Sequence, residues 1–180
     1  MINKEVEKMP VNIKAQLASK KELVSGIFKF NVQAKDIVSD VKPGQFIEIR
    51  VNDDIEPFLR RPISIHNIEK ENGILEFIFQ VKGKGTERLS ERQIGDDLNI
   101  LGPLGNGAFS IKHYKKVAIL GGGIGIYPLY ELAKNLYNNV DALRRTEYET
   151  SIRFDLILVK WNQSNRNIND WDDFCRYAEI

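Results

Sequence analysis

Leu59-Arg60-Arg61-Pro62-Ile63-Ser64-Ile65-His66 brings together two guanidinium groups, a φ-locking proline and a hydroxyl flanked by β-branched residues. Arginine recognises phosphate oxygens through planar, bidentate hydrogen bonds, and a serine hydroxyl offers a hydrogen bond to a ring edge without adding charge. The combination suits a strand that grips a flat, phosphorylated ligand. Taken alone, the same stretch reads as the solvated end of a strand, so its neighbours must decide.

Two further stretches carry anion chemistry. Lys82-Gly83-Lys84-Gly85-Thr86 precedes a short helix expected over Glu87 to Gln93, with Thr86 placed to cap it. Glycines ahead of a helix start let backbone N–H groups approach an anion. Gly121-Gly122-Gly123-Ile124-Gly125 follows the apolar run Lys116 to Leu120 and precedes Ile126 to Tyr137, where Leu129, Leu132, Ala133 and Leu136 fall at helical spacing. Strand, glycine loop and helix open a dinucleotide-binding α/β unit. The match is imperfect, because G-x-G-x-x-G needs glycine where Ile126 stands, and such units also occur without nucleotides.

The remaining chemical side chains read as ordinary. His66 suits a polar strand position better than a proton donor, and His113, beside Lys112 and Tyr114, suits the surface. Asp53, Asp54 and Glu56 share a polar loop that lacks the further ligands of a calcium site. Cys175, the one cysteine, excludes an internal disulfide and any cluster needing several thiolates from this chain, and it reads as an inert thiol.

The elements that must position these residues follow from periodicity. Val11 to Leu17 and Ile27 to Val32 alternate apolar and polar residues, the pattern of half-buried strands, with Lys20-Lys21-Glu22 as a polar connection. Ala34 to Asp40 reads as a loop or short helical turn, and Lys42-Pro43-Gly44-Gln45 as a turn that launches Phe46 to Val51. Glu71-Asn72-Gly73 is a hairpin-type turn leading to Ile74 to Val81, and Asp96 to Leu101 is a last strand. Six short strands in roughly 100 residues with one small helix predict a closed antiparallel barrel. Gly102 to Gly107 marks the break to a different grammar, giving a barrel domain over 1–108 and a partial α/β domain over 109–180. In that second part Asp155 to Val159 is one convincing strand, and Trp161 and Trp171 interrupt a tail rich in Asn, Asp and Arg.

The chain has 180 residues, 42% of them hydrophobic, and a net charge of +1. That composition supports a real core but gives no overall electrostatic case for nucleic acid or an anionic membrane. Met1 to Pro10 lacks the apolar run of a secretory signal, and no stretch approaches the ~20 apolar residues of a membrane span. A cytoplasmic protein is expected.

The order Pro43-Gly44-Gln45-Phe46, Arg60-Arg61-Pro62-Ile63-Ser64-Ile65, Gly83-Lys84-Gly85-Thr86, Gly102-Pro103-Leu104-Gly105 and the later glycine loop resembles the ferredoxin reductase-like flavoproteins. Within them it is most similar to the electron-transfer subunits of class B dihydroorotate dehydrogenase, over about Val11 to Asn139. The resemblance implies a six-stranded FAD-binding barrel followed by an incomplete Rossmann-like NAD domain. It places the FAD pyrophosphate on Arg61, the isoalloxazine against Pro62, Ile63 and Ser64, a second flavin segment at Ile78, Phe79 and Gln80, and phosphate-binding N–H groups at Gly85 and Thr86. Gly121, Gly122, Gly123 and Gly125 become the floor for NAD. The implied activity passes electrons from dihydroorotate oxidation, in a partner FMN-type catalytic subunit, through FAD to NAD⁺ in pyrimidine synthesis. Other readings are an FAD subunit of a ferredoxin:NADP oxidoreductase or sulfide dehydrogenase, or a non-catalytic flavin-binding relic.

Two departures stand out. The family carries four cysteines that hold a [2Fe–2S] cluster, and those ligands are absent here. The α/β domain is also short, and residues from Leu143 onward do not read as its continuation. A truncated chain with a foreign, frameshift-like tail is the expectation, one that is not competent alone.

Overall fold

The computed structural model describes residues 9–51, 57–106, 119 and 121–136. The loop acids Asp53, Asp54 and Glu56, together with His113, Cys175, Trp161, Trp171, the strand Asp155 to Val159 and the tail from Leu143, lie outside the described residues.

Alternation carries the chain into six strands: β1 (Val11–Val24), β2 (Ile27–Gln33), β3 (Phe46–Arg50), β4 (Arg61–Glu69), β5 (Ile74–Gln80) and β6 (Asp97–Leu104). They close into a barrel in the order β1-β2-β5-β4-β3-β6, with every neighbouring pair antiparallel. The inward residues of one period-two face meet at the axis, among them Leu17, Phe30, Ile47, Ile49, Leu75, Phe77, Leu98 and Ile100, all fully buried. Phe30 forms the centre of an aromatic cluster, edge-on to Phe79 at 5.1 Å between ring centroids and tilted to Phe77 at 5.7 Å. Each such side chain contributes about 1.5–3 kcal/mol by leaving water.

β1 runs straight through Lys20-Lys21-Glu22, where a connection was expected. Those residues pair with Phe30, Lys29 and Phe28 of β2, and irregularities after Leu17 and Glu22 bend the long strand around the barrel. Their charges face outward, and Lys20 donates to the carbonyls of Ser90 (2.7 Å) and Arg92 (3.0 Å). The real turn is Ser25-Gly26, with Gly26 at φ +73°. Ala34 to Asp40 holds the four-residue helix α1 (Lys35–Val38).

A second helix, α2 (Lys84–Ser90), starts three residues earlier than the expected Glu87. Thr86 therefore sits inside its first turn. Its hydroxyl oxygen accepts the N–H groups of Lys82 (2.9 Å) and Gly83 (3.3 Å) and its O–H donates to the Gly83 carbonyl (3.0 Å), so it caps by reaching backward. β6 also continues through the expected break, across a cis Gly102–Pro103 bond to Leu104, which pairs with Phe46 of β3.

The glycine loop leads into a 3-10 segment, Gly123–Leu129, and then helical residues 130–136, where one α-helix from Ile126 was expected. Pro128 explains the difference. It has no N–H to donate to the preceding turn, and it disfavours the α conformation at Tyr127. Leu132 and Leu136 of the helical part are buried, and the whole segment packs on β4 and β5.

Candidate functional site

The two arginines that open β4 have different environments. Arg60 is held by the barrel seam: its guanidinium donates to the carbonyls of Glu48 (3.3 Å) and Asn99 (3.2 Å) and to the side-chain oxygens of Asn99 (2.5 Å) and Asn12 (3.4 Å). Arg61 has no hydrogen-bond or ion-pair partner among the described residues. Its side chain instead lies over Gly85 in the first turn of α2, so close that a Cβ on Gly85 would overlap the Arg61 Nε. Only glycine permits that approach.

Arg61 and Gly85 line a cleft of about 720 Å³. Pro57-Phe58-Leu59 and Lys82 to Thr86 line it as well. A guanidinium and first-turn N–H groups thus converge on one space, an arrangement that suits phosphate oxygens. Helix α2 has only seven residues, so the positive charge at the cleft comes from side chains, Arg61 with Lys82 and Lys84.

From Arg61 the strand turns its faces alternately. Pro62 and Ser64 point outward and are exposed, while Ile63 (8% exposed) and Ile65 point into the barrel. Ile63 therefore belongs to the core through its side chain and to the ladder with β3, opposite Ile47, through its backbone. On the side toward β5 the strand edge is open beyond Ile65: the β4–β5 ladder runs from Glu69↔Ile74 to Ile65↔Phe77 and stops there, which leaves the Ser64 main chain facing the gap. Ile78, Phe79 and Gln80 continue β5 beyond that point, paired only with β2. Their main chain borders the opening. The Phe79 side chain itself belongs to the core, at 2% exposure, Ile78 is buried, and Gln80 is half-buried.

The glycine loop meets the other end of β4. Gly122, Gly123 and Gly125 are exposed, and Gly121 is half-buried in a tight approach to Leu129 and Ile126. These glycines do not line the Arg61 cleft. His66 Nδ1 donates to the Tyr127 carbonyl at 2.7 Å, and the Tyr130 ring lies on the imidazole with centroids 4.7 Å apart. His66 thus shares the outward face of Pro62 and Ser64 and ties it to the glycine segment.

A buried polar chain reinforces this junction. Glu131, 5% exposed, accepts the Ile68 N–H (3.0 Å) and pairs with Lys134 (2.7 Å). Lys134 donates to Asn67 Oδ1 (2.5 Å) and the Ile68 carbonyl (3.2 Å), and Asn67 donates to Glu76 (2.5 Å), which pairs with Lys29 (2.7 Å). Burial raises the Glu76 carboxyl pKa, but the hydrogen bonds from Lys29 and Asn67, with the charges of Lys29 and His66, outweigh it and leave the group below its ordinary value.

Sequence reasoning did not single out Phe58, Glu131 or Lys134. Two large apolar residues at the end of a polar loop, Phe58-Leu59, were the available signal for the first. Nothing in the local pattern distinguishes Glu131 and Lys134 from the solvated face of a helix.

The oxidoreductase FAD-binding domain family matches residues 14–109 of the chain. The chain is 41% identical over 125 residues to the dihydroorotate dehydrogenase B (NAD(+)) electron transfer subunit of Lysinibacillus sphaericus, covering 68% of this chain and 48% of that protein. It is 46% identical over 138 residues to the same-named subunit of Clostridium acetobutylicum, covering 76% and 50%. The chain thus spans about half the length of the curated relatives it matches. The structure of an NADH-dependent reduced ferredoxin-NADP oxidoreductase superposes with a TM-score of 0.68 at 24% identity, covering 93% of this chain and 55% of that one. That likeness is one of fold.

Proposed function

The chain belongs to the oxidoreductase FAD-binding domain family, and from that premise we propose that it holds FAD on its barrel and serves electron transfer between that flavin and NAD⁺. The wider role follows its relatives, each named as an electron transfer subunit of dihydroorotate dehydrogenase B. In that role the electrons come from dihydroorotate oxidation in an FMN-type catalytic subunit.

The observation that carries the reading is Arg61: a guanidinium with no partner among the described residues, held against a glycine that must remain a glycine. The residues present fit FAD. Arg61 and the Gly85–Thr86 turn hold its phosphates, the outward faces of Pro62 and Ser64 meet the ring, and the open backbone at Ser64, Ile78 and Gln80 supplies hydrogen bonds to ring edges. When bound, FAD supplies the chemistry that links two-electron hydride carriers to one-electron partners. The protein contributes position and charge. Ile63 and Ile65 anchor the strand in the core, so its outer face keeps a fixed orientation, and Gly121, Gly122, Gly123 and Gly125 provide an approach without side chains for a nicotinamide dinucleotide.

The test is direct. Purified chain incubated with FAD and desalted should retain a yellow, flavin-shaped visible spectrum. A colourless protein that takes up no added FAD would overturn the reading.

A further inference from the structure

We propose that Lys20 of β1 is a positioning residue for flavin binding: it fixes the C-terminal end of α2 and, through Gly85, the set of the Arg61 side chain. The inference rests on the reading of the Arg61 cleft as a flavin phosphate site.

Lys20 does not line that cleft. Its ammonium donates to the carbonyls of Ser90 (2.7 Å) and Arg92 (3.0 Å), one on the last residue of α2 and the other just beyond it. A helix end leaves such carbonyls without partners inside the helix, and a lysine at that end satisfies them. The ammonium also lies 5.6 Å from the centre of the Phe28 ring, which stacks on the buried Phe79, so the lysine is seated on the barrel rather than extended into water. Arg92 braces the same helix end from another side, donating to the Val51 carbonyl just past β3 at 2.6 Å. Toward the start of the helix the contact is one of shape. Gly85 lies about 8 Å along the axis from Ser90, and a Cβ on it would stand 1.9 Å from the Arg61 Nε. A small shift of α2 therefore either opens that contact or drives backbone into the arginine. Lys20 and Arg61 are coupled through one short helix, although they stand on different strands.

The experiment is a double-mutant cycle on the flavin-stripped full chain, read as FAD dissociation constants by flavin fluorescence. Lys20→Met, which keeps an apolar stem and removes the ammonium, should weaken FAD about 5-fold, within the range found for coupled residues. Lys20→Arg, which keeps the donors, should stay within about 2-fold of the unsubstituted chain. In an Arg61→Ala background Lys20→Met should weaken FAD less than about 2-fold further, because the group it positions is gone. Lys20→Gln repeats the comparison where the methionine variant does not fold. The proposal fails if the loss of Lys20 weakens FAD by the same factor in both backgrounds, the additive result of a lysine that serves only barrel stability. It also fails if FAD affinity stays intact. Absence of FAD binding by the unsubstituted chain would instead remove the flavin reading itself, and this inference with it.

Discussion

Arg60 stands just before β4 and Arg61 is its first residue, and the two have separate work. Arg60 satisfies two barrel carbonyls and two asparagine oxygens. Arg60→Ala should therefore cost about 2 kcal/mol of stability, the scale of hydrogen bonds to a charged group, with FAD affinity nearly unchanged. Arg61→Ala should do the reverse, weakening FAD by ~10-fold or more while the melting temperature of the flavin-free chain holds. Equal effects of the two on both readouts would contradict the division. Gly85→Ala should displace the Arg61 side chain and mimic its loss in a flavin titration. The sequence places a phosphate-suited pair here, and resemblance points to Arg61. That Arg60 is committed to Asn99 depends on β6 lying beside β3, a long-range pairing that local spacing does not encode.

Elements were legible wherever one periodicity ruled. β2, β3 and β5 lie within a residue of their expected bounds. The misplacements came from local chemistry that competes with periodicity: Thr86 capping backward shifts α2, and Pro128 converts the start of the second helix into a 3-10 segment. The junction between that segment and β4 was not legible at all, because Glu131 and Lys134 find partners only once the chain has folded over Asn67 and Ile68. Removing one member of this buried pair, as in Glu131→Ala, should cost about 3 kcal/mol and appear as faster hydrogen exchange confined to residues 121–136. Lys134→Arg should lose less than Lys134→Met. On the same network, the Glu76 carboxyl has a folded pKa lowered below its unfolded value of about 4.3. Its contribution is thus complete above that value and is lost as pH falls through the lower folded one. Melting curves of the unsubstituted chain and Glu76→Gln should converge in acid and separate near neutrality.

At the scale of the whole molecule, the closed barrel was predictable as a class, since six short strands with one buried face each have few other ways to cover their edges. The circular order β1-β2-β5-β4-β3-β6 was not, because it depends on which distant strands meet. A ligand spanning β4, α2 and the open β4–β5 edge binds only the assembled barrel. FAD at 100 times its dissociation constant should therefore stabilise the chain by about 2.7 kcal/mol and raise its melting temperature on the order of 10 °C.

β4 also acts as a ruler. Arg61 stands at one end and His66, Asn67 and Ile68 grip the glycine segment at the other. The seven steps from Arg61 to Ile68 amount to ~23 Å of extended chain, with one register shift against β5, between Ile65 and Asn67. Losing or gaining a single residue in the regular part, between Arg61 and Ile65, would turn Pro62 and Ser64 toward the core and set Ile63 and Ile65 in solvent. The strand can therefore vary in composition at its outward positions, but its length is fixed by the two partners it spaces.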